Sequence, residues 1–198
     1  MNAFRALCAS FALLAAATTG CALFSRPEPL TTLQLRFPSL SANHELLSAW
    51  PQSLAFDSLV ADSAISGNRV IVFDGAKVLQ FTGLRWVDTP AVMLTEQFKH
   101  WQARSEAIHR RPSSADLVLS FSDFSIHLKA GGKNTVVVSS SAELRCATGS
   151  KQALGVFSSQ QRLRKMDAQT IAVTFAYASE ATAKAMFSAA KLALPECG

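Results

Sequence analysis

The sequence predicts one α+β domain, an antiparallel or mixed β-sheet with two main helices packed on one face. Three observations lead there. Runs of alternating apolar and polar residues recur along the chain, as half-buried strands require. Only two stretches change to helical periodicity, one central and one at the C-terminus. The resulting order is β-β-β-β-α-β-β-β-α, with no internal repeat and no low-complexity tract.

In the first strand Leu33, Leu35 and Phe37 alternate with Thr32, Gln34 and Arg36. A polar or helical connection from Ser41 to Gln52 contains Pro51, and Leu54 to Val60 is the second extended run. Ser66-Gly67-Asn68 marks a turn. Val70 to Phe73 and Val78 to Phe81 then flank Asp74-Gly75, a hairpin signal whose loop is lengthened if Ala76 and Lys77 join it.

Pro90 opens the first helix, with Asp88 or Thr89 as N-cap, since proline early in a helix forfeits no amide bond. Ala91, Leu94, Phe98, Trp101 and Ile108 share one face, while Lys99, Gln102 and Glu106 fall off it. Arg110-Arg111-Pro112 ends the helix.

The strand from Asp116 to Leu128 changes parity midway. Leu117, Leu119 and Phe121 point one way, and Phe124, Ile126 and Leu128 keep the step of two on the other parity. One extra residue near Ser122-Asp123 returns all six to one face, so a β-bulge is predicted there. Gly131-Gly132 turns the chain into a strand from Asn134 to Cys146, with Val136, Val138, Ala142 and Leu144 inward, and another strand covers Gln152 to Leu163. The last helix runs from Ala168 to Leu194 with Ile171, Phe175, Ala178, Thr182, Ala185 and Ala189 as its small-residue stripe, and Pro195 stops it.

The N-terminus reads as an export signal. Arg5 supplies a short positive region, and Ala6 to Ala17 is apolar apart from Ser10. About twelve residues cover only ~18 Å as a helix, less than the ~30 Å core of a bilayer. Thr18-Thr19-Gly20-Cys21 resembles the lipobox of bacterial lipoproteins, although Thr18 stands where a bulky aliphatic is usual. That resemblance implies cleavage before Cys21, fatty acylation of its thiol and of the new amino group, and sorting to the outer membrane because Ala22, not aspartate, follows. The alternative is ordinary cleavage after Ala15-Ala16-Ala17. The expected organisation is residues 1–20 signal, 21–32 lipidated tether and 33–197 folded domain.

The net charge of +5 is modest and its basic residues are spread along the 198-residue chain, with Arg110-Arg111 and the Arg162, Arg164, Lys165 group as local clusters. A nucleic-acid partner calls for a denser footprint and is not expected. A basic surface near anionic lipid is the simpler account. Of the 4 cysteines, Cys8 leaves with the signal and Cys21 takes the lipid, so Cys146 and Cys197 either pair in an oxidising compartment or remain two free thiols.

Catalytic constellations are sparse. His44, His100, His109 and His127 have no matching Cys, Glu or second His at metal or triad spacing, and exposed positions account for them. Asp116 and Asp123 share a strand but differ in parity, which argues against a paired acid and base. There is no Gly-x-Ser-x-Gly elbow and no phosphate-cradling glycine loop. An enzyme is not expected, nor is a metal or cofactor.

The central segment carries a pattern. Arg69-Val-Ile-Val-Phe73, then Val78-Leu-Gln-Phe81, then Arg85-Trp86-Val87-Asp88 leading into Pro90 and Met93-Leu94, resembles the ABC-type transport auxiliary lipoproteins of the PqiC/YmbA family. The lipobox, the later strand from Leu117 to Phe124 and the alanine-rich last helix are similar too, so the resemblance covers most of the mature chain. It implies an outer-membrane-anchored, periplasm-facing accessory lipoprotein of an MCE-type lipid transport system. Its partners would be a periplasm-spanning MCE-domain protein and that system's ABC permease complex, with homo-oligomerisation left open. Arg85 and Trp86 then read either as a partner-facing patch, since arginine and tryptophan anchor interfaces, or as a staple of the strand end onto the first helix. A different class remains open: a structural assembly lipoprotein for lipopolysaccharide export, secretion or the cell wall.

Overall fold

The computed structural model describes residues 30–35, 49–109 and 113–197. The strands are β1 (Thr31–Leu33), β2 (Leu54–Ala61), β3 (Arg69–Asp74), β4 (Lys77–Trp86), β5 (Ala115–Leu128), β6 (Thr135–Cys146) and β7 (Lys151–Arg162). The helices are α1 (Pro90–His109) and α2 (Ala168–Ala193). The seven strands make one mixed sheet in the order β1-β4-β3-β5-β6-β7, with β2 also paired to β5. Three pairs are parallel (β1/β4, β2/β5, β3/β5) and three antiparallel (β3/β4, β5/β6, β6/β7). The class is α+β, in the element order read from the sequence.

β5 is the spine of the sheet. β6 follows it for its whole length on one side, from Ala115↔Cys146 to His127↔Thr135. On the other side β2 covers the first half, up to Ala61↔Phe121, and β3 the second, from Ile71↔Ser125. The register with β6 shifts between Phe121 and Asp123. That extra residue does what the parity change required: Leu117, Leu119, Phe121, Phe124 and Ile126 are all buried, and Leu128 is half-buried. The bulge also lies at the seam where β2 ends and β3 begins, and the Asp62 amide donates to the Phe121 carbonyl at 3.0 Å as the chain departs.

The β3–β4 turn is tighter than its sequence allows one to assume. Asp74 pairs with Lys77, so only Gly75 and Ala76 form the loop, and Gly75 sits at φ +59°, where a side chain is disfavoured. β1 is shorter than expected. Leu33 and Leu35 are buried, but strand pairing stops at Leu33, and Phe37 and most of the Ser41–Gln52 connection lie outside the described residues. At its end Trp50 is buried, its indole N–H donating to the Leu54 carbonyl at 2.9 Å.

Both helices cover the same sheet face. Thr89 is the N-cap of α1: its hydroxyl accepts the Val92 amide at 3.3 Å, while Asp88 accepts the Thr89 amide at 2.7 Å. Leu94, Phe98 and Trp101 are buried as expected and Ala91 is half-buried; the Ile108 side chain lies outside the described residues. Asp167 caps α2 by accepting the Thr170 amide at 2.8 Å. Along α2 the expected stripe holds for Ile171, Phe175, Ala178 and Thr182 and then fails, because Ala185 is exposed and Ala189 only half-buried. Met186, Phe187, Ala190 and Ala193 take their place. The cause is α1: Phe187 meets Trp50, Phe98 and Trp101 at ring-centroid distances of 4.7, 6.0 and 6.4 Å, turning the buried face of the second half toward that helix.

Candidate functional site

Cys21, the signal over residues 1–20 and the tether up to residue 29 lie outside the described residues. The described chain starts at Leu30, which is exposed, one residue before β1.

Arg85 and Trp86 go to opposite faces of the sheet, as successive strand residues must. Trp86 is 1 % exposed. Its indole meets Phe124 at 5.5 Å and Phe175 at 5.1 Å, both edge-on, and those two rings stack at 4.3 Å. It therefore offers a partner no surface. It staples the end of β4 to the sheet and to α2, whose Phe175 meets the indole edge-on. Arg85 is exposed on the other face, directly across from Arg69 and beside Thr32. The two residues do not make a joint patch.

Cys146, the last residue of β6, is bonded to Cys197 in the short 3₁₀ turn after α2. The Sγ–Sγ distance is 1.98 Å, the Cα atoms are 5.1 Å apart, and the bridge closes a sequence separation of 51. It ties the far end of α2 to the sheet it covers. Gln152 donates to Glu196 at 2.8 Å just beside it.

Sequence reasoning missed one polar cluster. Asp123, which follows the unpaired Ser122 of the bulge, accepts a short hydrogen bond from the Ser125 hydroxyl, and its other oxygen is 3.4 Å from His127 Nε2. His127 is not simply exposed: it is partly buried and stacks on Phe73 at 5.0 Å. Asp123, Ser125 and His127 follow the bulge at steps of two, so alternation puts them on one face of the strand. The hydroxyl proton is held by the carboxylate, so the order of contacts differs from a nucleophile activated by imidazole. The cluster ties the β5 bulge together. His100 and Asp116 are exposed and apart from it, and the side chains of His44 and His109 lie outside the described residues. Among the described residues no group of three His, Cys, Asp or Glu side chains could hold a metal ion.

Two clefts flank the first turns of α2. One, of about 460 Å³, lies between Gln161, Arg162 and Arg164 on one side and Thr170, Val173 and Tyr177 on the other. The second, of about 520 Å³, lies between Thr32, Leu33 and Val87 and the same end of the helix. Neither lining contains a carboxylate or a histidine, so the walls offer contact surface, not a proton-transfer pair. The hydrogen bond from the Thr170 amide, and then that from its hydroxyl, hold the Asp167 carboxyl below its ordinary pKa, with Lys165 adding to the effect. No helix among the described residues is long and apolar enough to cross a membrane.

Together these features define a class: a mixed-sheet α+β domain, clamped by one disulfide, with contact surfaces at the ends of its strands. No family model matches the sequence, and no curated protein matches it. Among solved structures it is similar to a crystal structure of a Xanthomonas campestris protein of family DUF330. The identity is 15% and the TM-score 0.58, covering 86% of this chain and 95% of that one. It is also similar to an uncharacterized protein of known structure, at 15% identity and TM-score 0.57, covering 80% and 95% of the two chains. At that identity the likeness is one of fold.

Proposed function

We propose that this chain is an outer-membrane-anchored accessory lipoprotein of an MCE/ABC-type lipid transport system, docking the periplasm-spanning MCE-domain protein. The observation that carries the reading is the ordered set of motifs from Arg69 to Leu94 behind a lipobox-like Thr19-Gly20-Cys21. The shared fold supports it, because DUF330, the family of the Xanthomonas campestris neighbour, is the PqiC/YmbA-like family that those motifs resemble. The role is one of position and binding. A lipid anchor raises the local concentration of the domain at the membrane, so a weak interface with the spanning protein suffices.

The test is mass spectrometry of the mature chain followed by crosslinking in cells. The expected result is an acylated N-terminus at Cys21 and capture of an MCE-domain protein. Deletion should raise sensitivity to detergents. An unmodified chain starting elsewhere overturns the anchor, and capture of a lipopolysaccharide-export, secretion or cell-wall component instead assigns the domain to that assembly.

A further inference from the structure

We infer that one end of the β-sheet is a docking surface for an anionic lipid bilayer, an inference that rests on the anchored reading above. Strand register brings three segments to that end. The β3–β4 turn joins Asp74 to Lys77, Asp74 pairs with Leu128, His127 with Thr135 and Thr135 with Arg162. The 74–77 turn, the 129–134 connection and the 162–167 segment are therefore neighbours. They carry Lys77, Lys129, Lys133, Arg162, Arg164 and Lys165, all exposed.

Against these six cations stand two carboxylates, Asp74 and Asp167, so this end holds four of the chain's net +5. Asp167 is also occupied in capping α2. Among the described residues none of the six cations closes a salt bridge. At the opposite end of the same strands the described cation Arg145 is paired, meeting Asp57 at 3.3 Å and Glu143 at 3.4 Å. Among the described residues, these six unpaired cations thus gather at the 74–77, 129–134 and 162–167 end. Val78 and Leu79, leaving the 74–77 turn, are 60% and 42% exposed, apolar surface of the kind a headgroup layer accepts.

The placement of the anchor agrees. β1 runs parallel to β4, which starts at Lys77, and Thr31 pairs with Leu84. Leu30 and the start of β1 therefore face the side on which β4 begins. About seven strand residues separate Leu84 from Lys77, roughly 23 Å at most. The nine or so residues from Ala22 to Leu30 have a maximum reach of about 31 Å. An acylated Cys21 can lie in the same bilayer that the basic end touches. Each Lys or Arg close to an anionic leaflet favours binding by about fivefold, within a screening length of about 8 Å. Docking this end turns the Cys146–Cys197 end and the 147–150 turn away from the membrane, toward a partner.

The experiment uses the mature acylated chain with one spin-labelled cysteine, Ala130→Cys at the basic end or Thr148→Cys at the other. It is bound to vesicles of phosphatidylethanolamine with phosphatidylglycerol, or of phosphatidylcholine alone. On the anionic vesicles the label at position 130 should be at least about fivefold less accessible to an aqueous relaxation agent than on the neutral ones, with position 148 unchanged. Lys129→Glu with Lys133→Glu and Arg162→Glu, or salt near 0.5 M, should abolish the protection. Equal accessibility of the two labels on anionic vesicles, by an acylated and bound chain, overturns the docking end and keeps the anchor. Protection on neutral vesicles as well, or only after acidic envelope proteins are added, also overturns it. A chain found without acyl groups that still floats with anionic and not neutral vesicles overturns the anchor and keeps the docking end.

Discussion

Gln102 in α1 accepts the main-chain amide of Phe56 in β2 at 2.7 Å. The β2–β5 register shifts between Phe56 and Ser58, so this side chain bonds an amide at an irregular point of the ladder. One turn earlier Phe98 stacks on the Phe56 ring at 5.2 Å. Ring and amide together fix α1 to the parallel edge of the sheet. Replacing Gln102 with leucine leaves the Phe56 amide without that acceptor and should cost about 1–3 kcal/mol in urea unfolding. Gln102→Glu keeps an acceptor and should recover most of it. Equal stability of the leucine variant and the parent would show that water takes over the bond.

Arg85 and Trp86 should separate cleanly. Trp86→Ala opens a hole between Phe124 and Phe175 and should destabilise by about 3–5 kcal/mol, as large aromatic truncations in cores do. Arg85→Ala, on the exposed face, should change stability by no more than about 0.5 kcal/mol. Thermal unfolding of the two variants measures both. If the Arg85 variant loses partner capture at unchanged Tm, the exposed face is the binding one.

How much of this was legible depends on whether the signal was local. The β5 bulge was readable because Leu117, Leu119, Phe121 and Phe124, Ile126 sit on opposite parities within one strand. The Gln102 contact was not, because the irregularity that calls for it arises from pairing β2 with a strand about sixty residues away. Alternation put Arg85 and Trp86 on opposite faces, yet nothing in the 85–90 segment says which helix lies over the indole. The turn of the α2 face at Met186 and Phe187 follows from aromatic residues on α1 and at Trp50, again a tertiary cause. Cys146 and Cys197 were visible as a pair, but only the packing of α2 on β6 brings them together.

The bridge has its own test. Cross-linking over a separation of 51 residues removes unfolded-state freedom, which the chain-entropy model puts at about 4 kcal/mol. Cys146→Ser with Cys197→Ser should lower unfolding stability by about 2–4 kcal/mol, and the last turns of α2 should lose hydrogen-exchange protection first. Thiol titration of the denatured mature chain should find no free cysteine. Two reactive thiols in the chain from its native compartment would refute the pairing there.

The start of α2 should respond to acid through Asp167. Its folded-state pKa lies below the ordinary 3.8, chiefly because the charged carboxylate accepts the Thr170 amide and hydroxyl. A carboxyl whose pKa is depressed by folding adds stability that is complete above its unfolded pKa and disappears as pH falls through the folded one. At neutral pH, Asp167→Ala should therefore have the lower Tm, since the N-cap acceptor is gone. As pH drops below about 4 the parent should lose its advantage, and the two melting curves should converge once its carboxyl is protonated. Asp167→Ser separates the causes, because its hydroxyl can cap without titrating. That variant should hold a Tm between the other two at neutral pH, and its gap to Asp167→Ala should persist into acid. A parent-to-alanine gap that stays constant across the same range would mean that the carboxylate's charge adds nothing to the cap. Helix start and basic end adjoin here, so the same measurement in the Lys165→Gln background reports whether the neighbouring cation contributes to the acidity of Asp167.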